Sequence, residues 1–157
     1  MKQDRFLLGI LIGIGTLIVI ALALFFMRQT TQEYLTTNTP EAVVFNYVLA
    51  VTEKDYKKAY GYLADTANKP TYETFRQSFF NGMVNPSGVG VDVGKADIRE
   101  DEATVELDML FSSNDPFSSS YSNSDRALLL RQNGEWRISS MPYSFWDYNW
   151  YQPPVKP

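Results

Sequence analysis

The chain has 157 residues, 14 basic against 18 acidic, and neither histidine nor cysteine. Disulfides, thiol nucleophiles, Cys-ligated zinc or iron–sulfur sites and the Ser-His-Asp triad are thereby excluded, and so is the usual general base near neutral pH. Beyond residue 27 the balance is 12 basic to 17 acidic with no basic cluster, which argues against a nucleic-acid binder.

Residues 6–27 carry no charge. As a helix they would span about 33 Å, enough for a hydrocarbon core of about 30 Å. A cleaved signal peptide is the competing reading, with Ala21-Leu22-Ala23 as the cleavage site. The apolar residues Leu24 to Met27 that follow favour a retained anchor. Lys2 and Arg5 precede the helix and only Arg28 follows closely, so residues 1–5 are expected in the cytoplasm and the rest outside the plasma membrane. Gly9 and Gly13 form a G-x-x-x-G pair, compatible with helix pairing and equally with the general abundance of glycine in membrane helices.

Residues 28–38 are polar and aperiodic and are expected to form a stalk. Thr39-Pro40-Glu41 then opens a helix: a hydroxyl cap, a proline in the first turn and an acid at the positive end of the dipole. Val44, Tyr47, Val48 and Val51 carry it to about residue 52. Asp55 caps a short second helix with the stripe Tyr56, Ala59, Tyr60 and Leu63, and with Lys57 and Lys58 on the opposite face. A third runs from about Thr71 to Phe80, with Tyr72, Phe75 and Phe79 on one face, and stops at Asn81-Gly82.

After Gly82 the period drops to two. Val89, Val91 and Val93 alternate with Gly90, Asp92 and Gly94. A turn at Glu100-Asp101 leads to Ala103, Val105, Leu107, Met109 and Phe111, a strand with one apolar and one mostly acidic face. Residues 112–123 form a serine-rich loop, and strands at Arg126–Arg131 and Trp136–Met141 are joined by Asn133-Gly134, a type I′ hairpin signal. Three helices followed by about four antiparallel strands define an α+β fold, helices on one face of a curved sheet.

These landmarks resemble the nuclear-transport-factor-2-like (NTF2-like) group, in its small membrane-tethered bacterial envelope form. The resemblance covers residues 39–141. It rests on the opening TPEAVVFNYVLAVTEKDYKKAYGYL, the helix YETFRQSF, the strand pair VGVDVGKADI and EATVELDML, and the closing LLLRQNGEWRIS. It implies a cone with a pocket at its open end between helices and sheet. Enzymes of that fold place an Asp with Tyr or His in the pocket; no matching Asp is identifiable here, because Asp92, Asp97, Asp101 and Asp108 fall in strands or turns. Pairing into a homodimer through the sheet is likewise implied by the resemblance alone.

Tyr47, Tyr60, Phe75, Phe79 and Trp136, with Tyr62 and Tyr72, would line an apolar ligand pocket or simply fill an aromatic core. Residues 142–157 form the tail, where YSFWDYNWY holds six aromatics in nine residues. Trp146, Tyr148 and Trp150 would offer a platform for a partner, glycan or lipid headgroup, or belong to a final strand closing the sheet. The acidic turn Asp97, Glu100, Asp101 and Glu102 lacks EF-hand spacing. The expectation is a membrane-anchored, extracytoplasmic accessory or interaction module with no catalytic residue, metal or cofactor. The alternatives are a binder of a small apolar or glycan ligand in the cone and, third, a Tyr/carboxylate enzyme. A membrane, an envelope protein or a second copy are the expected partners, and nucleic acid is not.

Overall fold

The computed structural model describes residues 2–27, 32–112 and 120–153. The chain divides into two compact units, Met1–Glu33 and Tyr34–Pro157. The first contains α1, Lys2–Met27. Its stretch Phe6–Leu24 has a mean hydropathy of 2.8 and no buried residue, which makes it long and apolar enough to cross a membrane.

The second unit opens with three short helices, α2 (Pro40–Thr52), α3 (Tyr56–Gly61) and α4 (Tyr72–Phe80). Each is started by the cap the sequence supplies. Thr39 accepts from the Ala42 N–H, Asp55 from the Lys58 N–H and Thr71 from the Thr74 N–H. The α2–α3 junction is a Schellman turn: the Asp55 N–H donates to the Ala50 carbonyl at 2.8 Å and the Lys54 N–H to the Val51 carbonyl at 3.0 Å. Lys54 stands at φ 62° where glycine is usual, an arrangement that costs about 1 kcal/mol.

Four strands follow: β1 (Val89–Arg99), β2 (Glu102–Phe111), β3 (Tyr121–Gln132) and β4 (Glu135–Ser140). They form one antiparallel meander in the order β1-β2-β3-β4. Asn133 (φ 53°) and Gly134 (φ 82°) make the two-residue turn between β3 and β4. Along β2, Ala103, Val105, Leu107 and Met109 are buried, while Glu102, Glu106, Asp108 and Leu110 are exposed. The buried row packs with Val44, Tyr47 and Val51 of α2, with Ala59, Leu63 and Phe75, and with Leu129, Ile138 and Phe145. The α+β arrangement, helices on one side of a curved antiparallel sheet, is thus the one the period change implies. In β1 a bulge lies between Val93 and Ala96. There Gly94 lets the strands approach, since a Cβ would sit 3.0 Å from the Glu106 carbonyl oxygen.

Three expectations need correction. Residues 34–38 are not free stalk: the Asn46 amide brackets Leu35, accepting from its N–H and donating to its C=O, both at 2.8 Å. Asn38 likewise donates to the Gly134 carbonyl at 2.9 Å. Strand β3 starts at Tyr121, so part of the supposed serine-rich loop is strand; residues 113–119 of that loop lie outside the described residues. The C-terminal aromatic segment is not a strand. Pro142 leads into a 3-10 turn, Tyr143–Phe145, and a second turn closes with the Trp150 N–H on the Asp147 carbonyl at 3.0 Å. What replaces it on β4's free edge is residues 62–64. The Ile138 N–H donates to Tyr62 and the Ala64 N–H to Ile138, each at 2.8 Å.

Candidate functional site

Tyr47 is fully buried, and its hydroxyl donates to the Phe145 carbonyl at 2.8 Å. Burial pushes its pKa well above the ordinary tyrosine value, with Tyr151 adding to the shift. Tyr60 is half-buried and donates to the Pro70 carbonyl at 2.9 Å. Its ring lies 5.5 Å from that of Phe75, which in turn lies 5.1 Å from Phe79 and 4.8 Å from Trp150. Tyr60, Phe75 and Phe79 are therefore brought together. Tyr47 and Trp136 make no ring contact with them among the described residues, and Trp136 is buried beside Arg131, 5.7 Å away. Both tyrosine hydroxyls are committed to backbone carbonyls; Tyr47, Phe75 and Trp136 fill the space between helices and sheet as core, and Tyr60 and Phe79 pack against it partly buried.

The C-terminal aromatics divide. Trp146 and Trp150 are buried, only 7 % and 2 % exposed, and stack edge to face at 5.0 Å. They form no surface platform; of the three expected platform residues only Tyr148, 75 % exposed, meets solvent, as does Tyr143 nearby. What draws the segment inward is a polar latch. The Trp150 Nε1–H donates to Ser78 Oγ at 3.2 Å, and Ser78 donates to Asp147 Oδ2 at 2.6 Å. Asp147 Oδ1 accepts from the Asn149 backbone and side chain, both at 2.9 Å. The Tyr151 hydroxyl donates to the Ala64 carbonyl at 2.6 Å, and burial raises its pKa. Asp147 is thus a buried carboxylate used for structure.

The candidate site lies instead along α3 and α4. A groove of about 1210 Å³ runs between the end of α2, the faces of α3 and α4, the segment 82–88 and the start of β1. Tyr56, Tyr72, Phe79 and Phe80 supply its aromatic walls, with Val89, Gly90 and Ser112 on the sheet side. Tyr56 stacks on Phe79 at 4.7 Å and meets Phe80 edge-on at 5.8 Å. Phe80 is 63 % exposed.

Lys54, Lys57 and Arg76 line this groove against a single acid, Asp55, whose Oδ1 caps α3 by accepting from the Lys58 N–H at 3.1 Å. A positive groove in a chain of net charge −4 is a local inversion. Arg76 lies over the Phe80 ring at 5.3 Å and pairs with Glu73 at 3.1 Å, yet its buried Nε–H has no acceptor. The groove offers apolar stacking surface and cations, and the one carboxylate in its lining, Asp55, is used as a helix cap. A smaller hollow on the outer sheet face is lined by Asp97, Glu102, Glu106, Asp108 and Asp125 with Lys95, Arg99 and Arg126. Among the described residues no cluster of three or more carboxylates is positioned to hold a metal.

Sequence reasoning named two of the groove's rings, Tyr72 and Phe79, as candidate pocket lining, but missed its cations because it placed Lys57 on an outward face and gave Lys54 no role. The available signal was a lysine at a helix-terminating position where glycine is the norm, beside an aromatic helix.

No protein-family model matches this chain, and no curated protein does. Solved structures with a similar fold include a SEC-C motif containing protein from Rhodopseudomonas palustris (16 % identity, 66 % of this chain and 77 % of that one, TM-score 0.49). A Campylobacter jejuni protein whose name proposes an NTF2-like transpeptidase is similar at 15 % identity, over 64 % of this chain and 96 % of that one, TM-score 0.43. A Nostoc punctiforme protein of unknown function with a cystatin-like fold is similar at 17 % identity, over 61 % of this chain and 80 % of that one, TM-score 0.45.

Proposed function

We propose that this chain is a membrane-anchored, extracytoplasmic module of the NTF2-like type, from a bacterial cell envelope, that acts by binding and not by catalysis. The observation that carries the reading is the cationic, aromatic groove on a unit whose interior is occupied by its own side chains. Binding is the chemistry such a lining performs: aromatic faces supply contact area, and the lysines and arginine select negative charge. The apolar stretch Phe6–Leu24 supports single-pass anchoring. Lys2 and Arg5 against Arg28 support a cytoplasmic N-terminus.

The absence of cysteine makes both halves testable in cells. Tyr148→Cys, at an exposed position, should react with a membrane-impermeant maleimide added outside intact cells; reaction only after lysis overturns the orientation. A photo-crosslinking residue at Phe80 should yield adducts that Lys57→Glu removes. Adducts that persist unchanged in Lys57→Glu remove the groove from the reading.

A further inference from the structure

Strand β1 is an edge of the sheet on which no further strand is paired among the described residues, and its register says which groups are open. The Ser112 N–H donates to the Gly88 carbonyl at 2.8 Å. With Val89 opposite Phe111 and Val93 opposite Leu107, the alternation of an antiparallel ladder turns the backbone of Gly88, Gly90 and Asp92 toward β2. Val89, Val91 and Val93 then turn their N–H and C=O groups outward. The bulge resets this phase, so that Ala96 also faces outward, and its N–H donates to Glu41 Oε1 at 3.0 Å. At the other end the Val89 N–H is taken by the Pro86 carbonyl at 3.2 Å. Between these two stops, the N–H and C=O of Val91 and Val93 have no hydrogen-bond partner among the described residues. From Val89 to Val93 there is no proline, the one charge is the exposed Asp92, and the bulge comes only after Val93, so the edge is protected at its far end and open here.

This open edge is continuous with the groove, because Val89 and Gly90 belong to both. We propose that the partner is an extended peptide segment that adds to β1 as an antiparallel fifth strand. Its C-terminal end lodges acidic and aromatic side chains in the groove. The direction follows from the geometry. β1 runs away from the groove, so an antiparallel addition runs toward it and delivers its C-terminal residues to Lys54, Lys57 and Arg76. Backbone bonds to Val91 and Val93 hold the strand with little regard to sequence, and the groove selects its end. Lys54 fits the same account: a lysine kept at positive φ supplies charge where glycine would be the more stable residue.

The inference rests on the binding-module reading and has its own test. Whole chain in phosphatidylcholine nanodiscs is titrated with fluorescent Thr-Val-Thr-Val-Asp-Phe-Glu, followed by anisotropy. Saturable binding is expected, weakened about tenfold or more when the peptide ends in Lys-Phe-Lys, and by a similar factor in Lys54→Gly/Lys57→Gln. Methylating alternate backbone amides of the peptide should abolish binding, because the lost donors are those that face Val91 and Val93. Val91→Pro should do the same from the protein side; its N–H points away from β2, so the internal ladder survives. Equal binding of the methylated peptide, or no preference for the acidic end, overturns the proposal. So does a chain that takes no peptide and is instead cross-linked to a second copy through Gly90→Cys and Asp92→Cys. None of these results touches the orientation measured at Tyr148, and the Phe80 adducts report groove contact whether or not a strand is added.

Discussion

Two regions of this molecule are rich in aromatic residues, and they behave in opposite ways. In Tyr143–Tyr151 the rings of Phe145, Trp146 and Trp150 are pulled into the core, and Tyr151 partly, because the polar partners are satisfied inside: Trp150 on Ser78, Ser78 on Asp147, Tyr151 on the Ala64 carbonyl; Tyr143 and Tyr148 stay exposed. Around α3 and α4 the rings of Tyr72 and Phe80 stay at the surface among cations, one of which keeps an unanswered N–H. Aromatic density alone therefore does not mark a binding surface. What separates the two is where the hydrogen bonds of the neighbouring polar groups go.

The largest expected effects break the buried region. Trp150→Ala removes a ring packed against Phe75 and Trp146 and should cost about 3–5 kcal/mol in urea unfolding. Phe80→Ala, at a mostly exposed position, should cost under about 1 kcal/mol. Equal losses for the two would mean that the groove is core and the contrast is false. Ser78→Ala comes next. It strands the Trp150 indole N–H and one Asp147 oxygen, at about 1–3 kcal/mol. Asp147→Ala should lose a similar amount, and the double variant should lose less than the sum, because the two residues act through one bond. Additive losses would show that the latch is not a unit.

Much of the fold was legible because local signals agreed with each other. Thr39-Pro40, Asp55 and Thr71 are caps that satisfy donors every helix leaves open, and β2 alternates because only one of its faces is covered. The path of YSFWDYNWY was not legible. Its rough alternation suggested a strand, but the contact that decides it spans 69 residues, from Ser78 to Asp147, and no local pattern encodes that. Residues 34–38 were misassigned for the same reason: the Asn46 amide that holds Leu35 lies 11 residues downstream. Of the groove, the rings of Tyr72 and Phe79 were legible as pocket candidates, while its charge escaped because Lys54 and Lys57 meet Arg76 only in the fold.

The smallest effect is read by pH and reports on the tyrosines that burial shifts. With no histidine or cysteine, no side chain has an ordinary pKa between about 5 and 9, so stability should be level there. Burial raises the pKa of Tyr47, Tyr62 and Tyr151. Each is neutral in the fold where the unfolded chain would already ionise. Their stabilising contribution is therefore complete below the unfolded value of about 10 and is lost as pH climbs from there toward the raised folded values. Unfolding free energy should fall steadily above pH 10. Tyr47→Phe should lower stability at pH 7 by about 1 kcal/mol, through loss of the bond to Phe145, and should flatten the alkaline decline. Urea titrations at a series of pH values would decide it: a decline that Tyr47→Phe leaves as steep as before would mean that the core does not hold this hydroxyl neutral, and would undo the account of Phe145 as a carbonyl that a buried tyrosine anchors.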